Sequence, residues 1–165
     1  MKKAFFLDRD GVINVNKGHI KSFKSIILYP GINQAFRYIK KNDYLIIVIT
    51  NQSAVGRGLI DEKMLNQIHE RLIKKISKRK NYIDDIFYCP HHPKFGVGKY
   101  KKKCLCRKPK NKMIEDAIIK WGISRKHSFM IGDNLSDYLA AKKSKIKFHY
   151  KKNINFFKQV KSMIS

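Results

Sequence analysis

Two acidic residues near the start of the chain have the type and spacing for covalent chemistry on a phosphate group. Asp8 and Asp10 follow an apolar run at positions 4–7, and residues two apart at the end of a strand face the same way. One carboxylate can attack phosphorus and form an aspartyl-phosphate, while the other protonates the leaving oxygen and later deprotonates the hydrolytic water. Gly11 lets the chain turn sharply away from a bound phosphate. The segment therefore predicts phosphoryl transfer by a pair of acids.

A second acid pair lies late in the chain, in the segment 132–137. Asp133 and Asp137 are four residues apart and would share one face where a helix begins. Because two carboxylates as close as Asp8 and Asp10 repel each other, the first pair indicates a cation between them. Mg²⁺ fits, since it takes oxygen ligands and tolerates few carboxylates beside water and phosphate. We expect Asp133 to bind this ion, whereas Asp137 either orients a metal-bound water or supports the backbone at the helix start.

Neutral and cationic groups that suit a phosphate occur between these acid pairs. Thr50, Asn51 and Gln52 supply a hydroxyl and two amides, and Arg107 and Lys108 supply cations. Phosphoryl transfer depends mainly on positioning and on neutralisation of charge, so a lysine beside the transferred oxygens is expected chemistry.

The elements that must position these residues alternate between strand and helix. Short apolar runs predict strands at 4–7, 44–49, 83–88, 128–131 and 146–150, and helical patterns lie between or after them. This alternation predicts an α/β fold, a doubly wound and mainly parallel sheet with helices on both faces. Asp8, Thr50 and Asp133 each follow a different predicted strand directly or after one glycine. Ligands bind beyond the carboxyl ends of such strands, so these side chains are expected to meet there.

The irregular segment 89–109 has the pattern of a metal-bound loop. A tetrahedral Zn²⁺ requires four ligands, and two closely spaced pairs of soft ligands occur here: Cys89 with His91, and Cys104 with Cys106. His92 is the alternative imidazole. The loop is rich in Gly and Lys and cannot bury a core, so a bound metal explains how it is ordered. The competing interpretation is incidental thiols in a polar loop. With four protein ligands the zinc would be structural.

The charge is strongly positive, with 37 basic and 12 acidic residues and a formal net charge of +25. Such an excess fits a nucleic-acid partner, but lysines that are scattered through a chain rich in Lys, Ile, Asn, Phe and Tyr favour a compositional bias. In either case the charge raises the encounter rate with phosphorylated small molecules. Nucleic acid therefore stays open as a secondary alternative to a small-molecule substrate.

The overall pattern predicts one domain over residues 1–165. The chain has no apolar run near the ~20 residues that a membrane helix needs. The apolar start is interrupted by Asp8, Arg9 and Asp10, so it does not read as a signal peptide, and the simplest location is the cytoplasm. The predicted helices show no spare apolar stripe, which favours a monomer.

The chain resembles the haloacid-dehalogenase-like phosphatases in four motifs that follow one another in the family's order: Asp8-x-Asp10-Gly11, Thr50-Asn51, Lys108, and Gly132-Asp133-x-x-x-Asp137. The resemblance implies a Rossmann-like fold, with Asp8 as nucleophile and Asp10 as general acid and base. It also implies Mg²⁺ on Asp8, the Asp10 backbone carbonyl and Asp133. The intervals where family members insert a cap domain hold only elements that the core needs and the Cys-rich loop, so the chain is expected to be capless.

The zinc loop narrows the resemblance to two families. Cys-Pro-His-His-Pro and Cys-x-Cys-Arg-Lys-Pro resemble the D-glycero-D-manno-heptose-1,7-bisphosphate 7-phosphatases, and also the histidinol-phosphate phosphatases, whose loop is typically shorter. The long interval here favours the heptose enzymes, and so does the segment Gly18-His19-Ile20. By this resemblance Arg57 and Arg107 would hold the second phosphate or the sugar. Two positions depart from the family pattern: Asn134 replaces the usual lysine, and His19 replaces a tyrosine.

These observations lead to one main hypothesis and three alternatives. The main hypothesis is an enzyme that removes the 7-phosphate of the heptose bisphosphate, on the route to the ADP- or GDP-heptose used in surface polysaccharide. The alternatives are a phosphatase for histidinol phosphate or another phosphosugar, a nucleic-acid 3′-phosphatase, and a basic zinc-containing nucleic-acid-binding module with an inactive core. The intact set of acids and Lys108 favours an enzyme.

Overall fold

A computed structural model of the chain describes residues 1–164. Five parallel strands form one sheet in the order β3-β2-β1-β4-β5. They are β1 (Lys3–Leu7), β2 (Tyr44–Asn51), β3 (Asp85–Cys89), β4 (Phe129–Gly132) and β5 (Lys147–Tyr150). The six α-helices are α1 (Ile32–Lys41), α2 (Ser53–Gly56), α3 (Glu62–Ile76), α4 (Lys112–Trp121), α5 (Leu135–Lys143) and α6 (Phe156–Ile164). The predicted doubly wound, Rossmann-like sheet is confirmed.

Two apolar cores lie on opposite faces of the sheet. Successive residues of a strand point to opposite faces, and Phe5 and Phe6 of β1 accordingly belong to different cores. The first core includes buried residues of α1, α3 and α6, and the second includes those of α4 and α5. Because both faces are covered, the strands read as continuous apolar runs in the sequence.

Some strand boundaries differ from the sequence prediction, because backbone pairing with the neighbouring strand, and not apolar character, determines where a strand ends. The predicted second strand stops at 49, but β2 continues through Thr50 and Asn51, which pair with Tyr88 and Cys89 of β3. The third strand begins two residues later than predicted, at Asp85. The extension places Thr50 and Asn51 at the carboxyl edge of the sheet beside β1.

The long helix α3 begins as the sequence indicates. Asp61 accepts a hydrogen bond of 2.7 Å from the Met64 backbone amide, the arrangement by which an Asp N-cap satisfies a free helix donor. Leu65, Ile68 and Leu72 are buried, but Met64, counted in the predicted stripe, is 42% exposed. The helix also buries a residue that the stripe does not include, His69.

In the part of the chain that the structure describes, the segments that join β1 to β2 and β2 to β3 contain no inserted domain. Within the described residues, the interval between β1 and β2 contains α1 and one short 3₁₀ turn, and the interval between β2 and β3 contains α2 and α3. This arrangement agrees with the predicted capless architecture. In the same described range, no helix has the length and apolar character to cross a membrane.

Candidate active site

A cavity of about 230 Å³ lies at the carboxyl ends of the central strands. Strand β1 lies between β2 and β4, so the residues that end these three strands are brought side by side. Most of the predicted site residues line this cavity: Asp8, Asp10, Gly18, His19, Thr50, Asn51, Gln52, Lys108 and Asp137. Asn134 also lines it. The position of the cavity follows the rule for ligand sites in open parallel sheets.

Lys108 lies at the centre of the buried charges. It is 4% exposed, and its Nζ is 2.9 Å from Asp8 Oδ1 and 2.6 Å from Asp137 Oδ1. The same ammonium donates to the carbonyl of Ile49 at 2.8 Å. Burial would lower the pKa of Lys108, but the charges of Asp8 and Asp137 outweigh it and raise that pKa. The lysine therefore stays a cation next to the predicted nucleophile.

The side chain of Asn51 fixes the backbone of Lys108. Its Oδ1 accepts from the Lys108 amide at 3.0 Å, and its Nδ2 donates to the Lys108 carbonyl at 3.2 Å. Asn51 was predicted to contact substrate, and it does line the cavity. Its amide, however, is engaged on both sides by Lys108, which indicates that it positions the lysine.

Three carboxylates form a cluster that suits a divalent cation. Oxygens of Asp8, Asp133 and Asp137 lie within 4.8 Å of one another. Burial raises the pKa of Asp8 to about 7, partly offset by Lys108 and reinforced by Asp137. Burial and Asp137 also raise the pKa of Asp133. One lysine therefore does not balance the negative charge of the cluster, and a hard cation such as Mg²⁺ fits these oxygen donors.

Asp137 is held by protein groups on both of its oxygens. Its Oδ2 accepts from the backbone amides of Asp133 and Asn134, each at 3.1 Å, and its Oδ1 pairs with Lys108. These bonds support the predicted role of Asp137 outside the direct ligands of the ion. A side chain at Gly11 would collide with the carboxylate of Asp133, so the glycine is required for this approach as well as for its φ of +91°.

The carboxylate of Asp10 is bound by a network that the sequence analysis did not foresee. It accepts hydrogen bonds from Arg9, Asn14 and Gln52. Burial alone would raise the pKa of Asp10, but the charge and hydrogen bonds of Arg9 lower it overall. Gln52, predicted to bind substrate, also donates to Thr50 Oγ1 at 2.9 Å. The side-chain amide of Gln52 is therefore already hydrogen-bonded to Asp10 and Thr50 in this structure.

Four cationic or potentially cationic side chains lie near one another beside the cavity. His19 lines the cavity, and Arg57 lies close enough to lower its pKa, after the larger effect of burial. Arg107, whose pKa burial lowers, lies near Arg57 and donates to the His91 carbonyl at 3.2 Å. Burial lowers the pKa of His92 first, and the charges of Arg107 and Arg57 lower it further. Neither arginine is among the cavity-lining residues of the described chain.

The segment that contains Gly56 and Arg57 makes direct contacts with the zinc loop. The guanidinium of Arg57 lies 4.3 Å from the ring centre of Phe95. The backbone amide of Val97 donates to the carbonyl of Gly56 at 2.7 Å. Arg57 Nε is buried and, among residues 1–164, has no hydrogen-bond partner. A buried donor without a partner is costly, and a bound anion would satisfy it.

The four predicted zinc ligands converge on one point. The sulfurs of Cys89, Cys104 and Cys106 lie 2.8–3.5 Å apart, and His91 Nδ1 is 3.3 Å from Cys106 and 3.7 Å from Cys89. The alternative His92 is used elsewhere, since its Nδ1 accepts from the amides of Lys94 and Phe95. Three thiols and one imidazole form the donor set of a closed structural zinc site, so the residues fit Zn²⁺ with His91 as the imidazole.

Glu62 ties the zinc loop to helix α3, which no sequence motif indicated. Its two carboxylate oxygens accept from Tyr100 at 2.7 Å and from Tyr88 at 2.8 Å. The Tyr100 bond is the largest of the effects that lower the pKa of Glu62. Tyr100 belongs to the zinc loop and Tyr88 to β3, so one carboxylate fixes the loop against the core.

The family model described as haloacid dehalogenase-like hydrolase matches residues 2–145, and the chain belongs to this family. A relative from Pasteurella multocida (strain Pm70), the D-glycero-beta-D-manno-heptose-1,7-bisphosphate 7-phosphatase, is 40% identical over 147 residues, covering 89% of this chain and 79% of the relative. The protein of that name from Escherichia coli (strain K12) is 37% identical over 138 residues, covering 84% of this chain and 72% of the relative. The resemblance found in the motifs is confirmed.

A solved structure is also similar over nearly the whole chain. It is the D,D-heptose 1,7-bisphosphate phosphatase from B. bronchiseptica, complexed with magnesium and phosphate. It has a TM-score of 0.81 and 30% identity, and covers 98% of this chain and 86% of its own. The predicted class of enzyme, a phosphatase of this hydrolase family, agrees with these relatives.

Proposed function

We propose that this chain removes the 7-phosphate of D-glycero-D-manno-heptose 1,7-bisphosphate, in the formation of precursors for ADP- or GDP-heptose. The observation that carries the proposal is the pairing of Asp8 with Lys108 at a cavity whose neighbourhood also holds two arginines. The end of the site that contains Asp8 and Lys108 suits the phosphoryl group that is transferred. The end near the two arginines suits the second phosphate, which is bound but not transferred. The names of the relatives point to the same substrate.

The nucleophile is Asp8. Its Oδ1 is bound by Lys108 at 2.9 Å and by the Arg9 amide at 2.8 Å, which directs Oδ2 to attack phosphorus. The bond between phosphorus and the sugar oxygen breaks, and Asp10, in its protonated form, gives its proton to that oxygen. Asp10 then takes a proton from water, whose oxygen attacks phosphorus and frees Asp8 and inorganic phosphate. Lys108 balances charge on the transferred oxygens throughout, and Thr50 offers a hydroxyl to them.

The proposal also includes the binding of two metal ions. Asp8, Asp133 and the Asp10 backbone carbonyl would hold Mg²⁺, which neutralises charge on the phosphoryl oxygens when bound. Cys89, His91, Cys104 and Cys106 would hold Zn²⁺, which cross-links the loop that precedes Lys108. A magnesium ion is named in the similar solved structure. The cytoplasmic location, the monomeric state and the single domain over residues 1–165 belong to the proposal and rest on the sequence arguments.

The test is phosphate release with Mg²⁺ from a panel of substrates at several concentrations. The panel contains both anomers of the heptose 1,7-bisphosphate, histidinol phosphate, fructose 1,6-bisphosphate and a DNA oligonucleotide with a 3′-phosphate. We expect the heptose bisphosphate to lead in kcat/KM by about two orders of magnitude or more, about 3 kcal/mol of discrimination. A lead by histidinol phosphate or the oligonucleotide would overturn the heptose assignment. The oligonucleotide is included because of the net charge of +25.

The arginine pair gives a second prediction. Replacing Arg57 or Arg107 by alanine removes a charged hydrogen-bond donor from the second phosphate, worth about 1.5–3 kcal/mol. We expect kcat/KM for the bisphosphate to fall roughly 10- to 100-fold, mainly through KM, while hydrolysis of a monophosphate changes little. The matched control is Arg79→Ala, an exposed arginine, which should leave both activities unchanged. Equal losses on bisphosphate and monophosphate would show that the arginines do not hold the second phosphate.

A further inference from the structure

The two faces of the edge strand β5 differ in polarity, although helices cover both of them. Successive residues point to opposite faces of the sheet, and Ile146, just before the strand, and Phe148 accordingly pack with the core of α4 and α5. The face toward α6 carries Lys147 and His149 instead of apolar side chains. A polar side chain under a covering helix is the informative exception to apolar burial, because it needs a partner.

A cavity of about 330 Å³ lies between this face of β5 and helix α6. Lys147 and His149 line it from the strand, and Lys152 lines it from the segment that follows. Ser162 and the buried Gln159 line it from the helix. Among the described residues that line the cavity, none is acidic. The described lining residues of this cavity and of the catalytic cavity do not overlap, so the two are separate features of the fold.

The imidazole of His149 has an unsatisfied nitrogen in this cavity. Its Nε2 is buried and, over residues 1–164, has no hydrogen-bond partner. The ring packs on Phe129 of the neighbouring strand β4, with ring centres 5.9 Å apart. Burial, and then the charges of Lys147 and Lys152, lower the pKa of His149. The ring is therefore neutral near pH 7, and a neutral imidazole can present an N–H at Nε2.

Two ammonium groups lie near this imidazole without a counter-ion. As far as the structure describes the chain, Lys147 and Lys152 form no ion pair. Gln159 fixes the segment that carries Lys152: its Oε1 accepts from the Lys152 backbone amide at 2.9 Å, and its Nε2 donates to the Tyr150 carbonyl at 2.8 Å. Two like charges that are held close together attract an anion.

We infer that this cavity binds a phosphate group, either inorganic phosphate or the phosphate of a small phosphomonoester. A phosphate carries close to two negative charges near neutral pH, which matches the two lysines, and its oxygens accept the N–H of His149. The cavity volume lies within the range of small-molecule sites, about 300–1,000 Å³, so there is room for more than the phosphate group. The three residues lie outside the candidate active site, so binding here is independent of the proposed hydrolysis.

Imidazole NMR signals report binding at the two cavities separately. His149 lines this cavity and His19 lines the catalytic one, and the His149 signal is assigned by its absence in His149→Phe. Protein purified without chelator is titrated with inorganic phosphate and, in a second series, with fructose 6-phosphate, both without Mg²⁺. We expect the His149 signal to shift and saturate with at least one ligand, and the tighter ligand identifies the source of the phosphate group. Sodium chloride at equal ionic strength should not shift it.

Substitution of the lysines tests which groups hold the anion. Lys147→Met and Lys152→Met each remove one ammonium and should raise the dissociation constant read at His149 about fivefold, since the interaction is charged but partly hydrated. Lys63→Met, on α3, is the matched control and should leave that constant unchanged. All three lysines are exposed, so these substitutions should not prevent folding.

Three results would overturn the phosphate site. They are the absence of a saturable His149 shift with both ligands, a shift that sodium chloride reproduces, and a dissociation constant that neither lysine substitution changes. Failure of the proposed function gives a different pattern. The heptose bisphosphate then shows no advantage in the substrate panel, while the His149 titration and its response to the two lysines remain.

Discussion

Asp8→Asn is expected to abolish turnover of every phosphate ester that the wild-type chain hydrolyses, with kcat reduced by at least about 10⁴-fold. The physical reason is that an amide oxygen is a poor nucleophile and cannot form the aspartyl-phosphate. Lys108 and the Arg9 amide, which bind Asp8 Oδ1, both find an acceptor in the asparagine carbonyl, so the site keeps its geometry. The measurement is steady-state phosphate release with Mg²⁺, with single-turnover rates as a check.

The matched control for this variant is Asp116→Asn. Asp116 is exposed and pairs with Lys112 at the helix spacing of four residues, a contact worth at most about 0.5 kcal/mol. It should leave kcat and KM unchanged. We also expect the melting temperature of Asp8→Asn to equal or exceed that of the wild type, because burial disfavours the Asp8 carboxylate and raises its pKa to about 7. An Asp8→Asn enzyme with more than a tenth of wild-type activity would mean that another group attacks phosphorus.

The second large effect concerns the zinc loop. Protein purified without chelator should contain about one zinc per chain, and Cys106→Ser should lose it, because three ligands hold zinc far more weakly than four. Loss of a structural metal is among the few changes that cost more than about 4 kcal/mol of folding free energy. Activity should fall as well, since Arg107 and Lys108 directly follow Cys106 in the chain. Metal analysis and thermal unfolding measure these two effects.

The variant His92→Asn tests whether His91 or the adjacent His92 is the zinc ligand. His92 accepts backbone amides within its own turn and lies outside the ligand cluster, so this variant should keep about one zinc per chain. His91→Asn, next to it, should lose the metal. Protein prepared without chelator that contains no zinc would defeat the assignment of the loop, and zinc retained by Cys106→Ser would defeat the assignment of that ligand.

The sheet, and the meeting of the proposed catalytic residues at one of its edges, could be predicted from the sequence because both depend on local patterns. Apolar runs that end at Asp8, Thr50 and Gly132 mark strands buried on both faces, and parallel strands bring their carboxyl ends to one edge. The convergence of the four proposed zinc ligands was predictable for a similar reason, since the short spacings from Cys89 to His91 and from Cys104 to Cys106 fix most of the geometry. His91 could not be chosen over His92 in that way, because the choice depends on which ring accepts the amides of Lys94 and Phe95.

The supporting residues could not be predicted, because their partners are distant in the chain. Arg9 meets His69 across 60 residues, and Glu62 meets Tyr100 across 38. Signals were present only for the first pair: a charged residue at the end of a buried strand, and a histidine within the buried face of α3. Neither signal names a partner. Asn51 and Gln52 show the same limit, since residue type suggested contact with phosphate and the folded chain engages both amides internally.

The sequence by itself predicts the chemistry proposed for this protein: a nucleophilic aspartate, an acid–base aspartate, a lysine and metal ligands, each placed by strand ends or by short spacings. The tertiary structure decided how that chemistry is held. It directed Arg9 to Asp10 and placed Lys108 between Asp8 and Asp137. Side-chain orientation in a buried network depends on which donors and acceptors meet after the layers pack, and no local pattern in the chain records that.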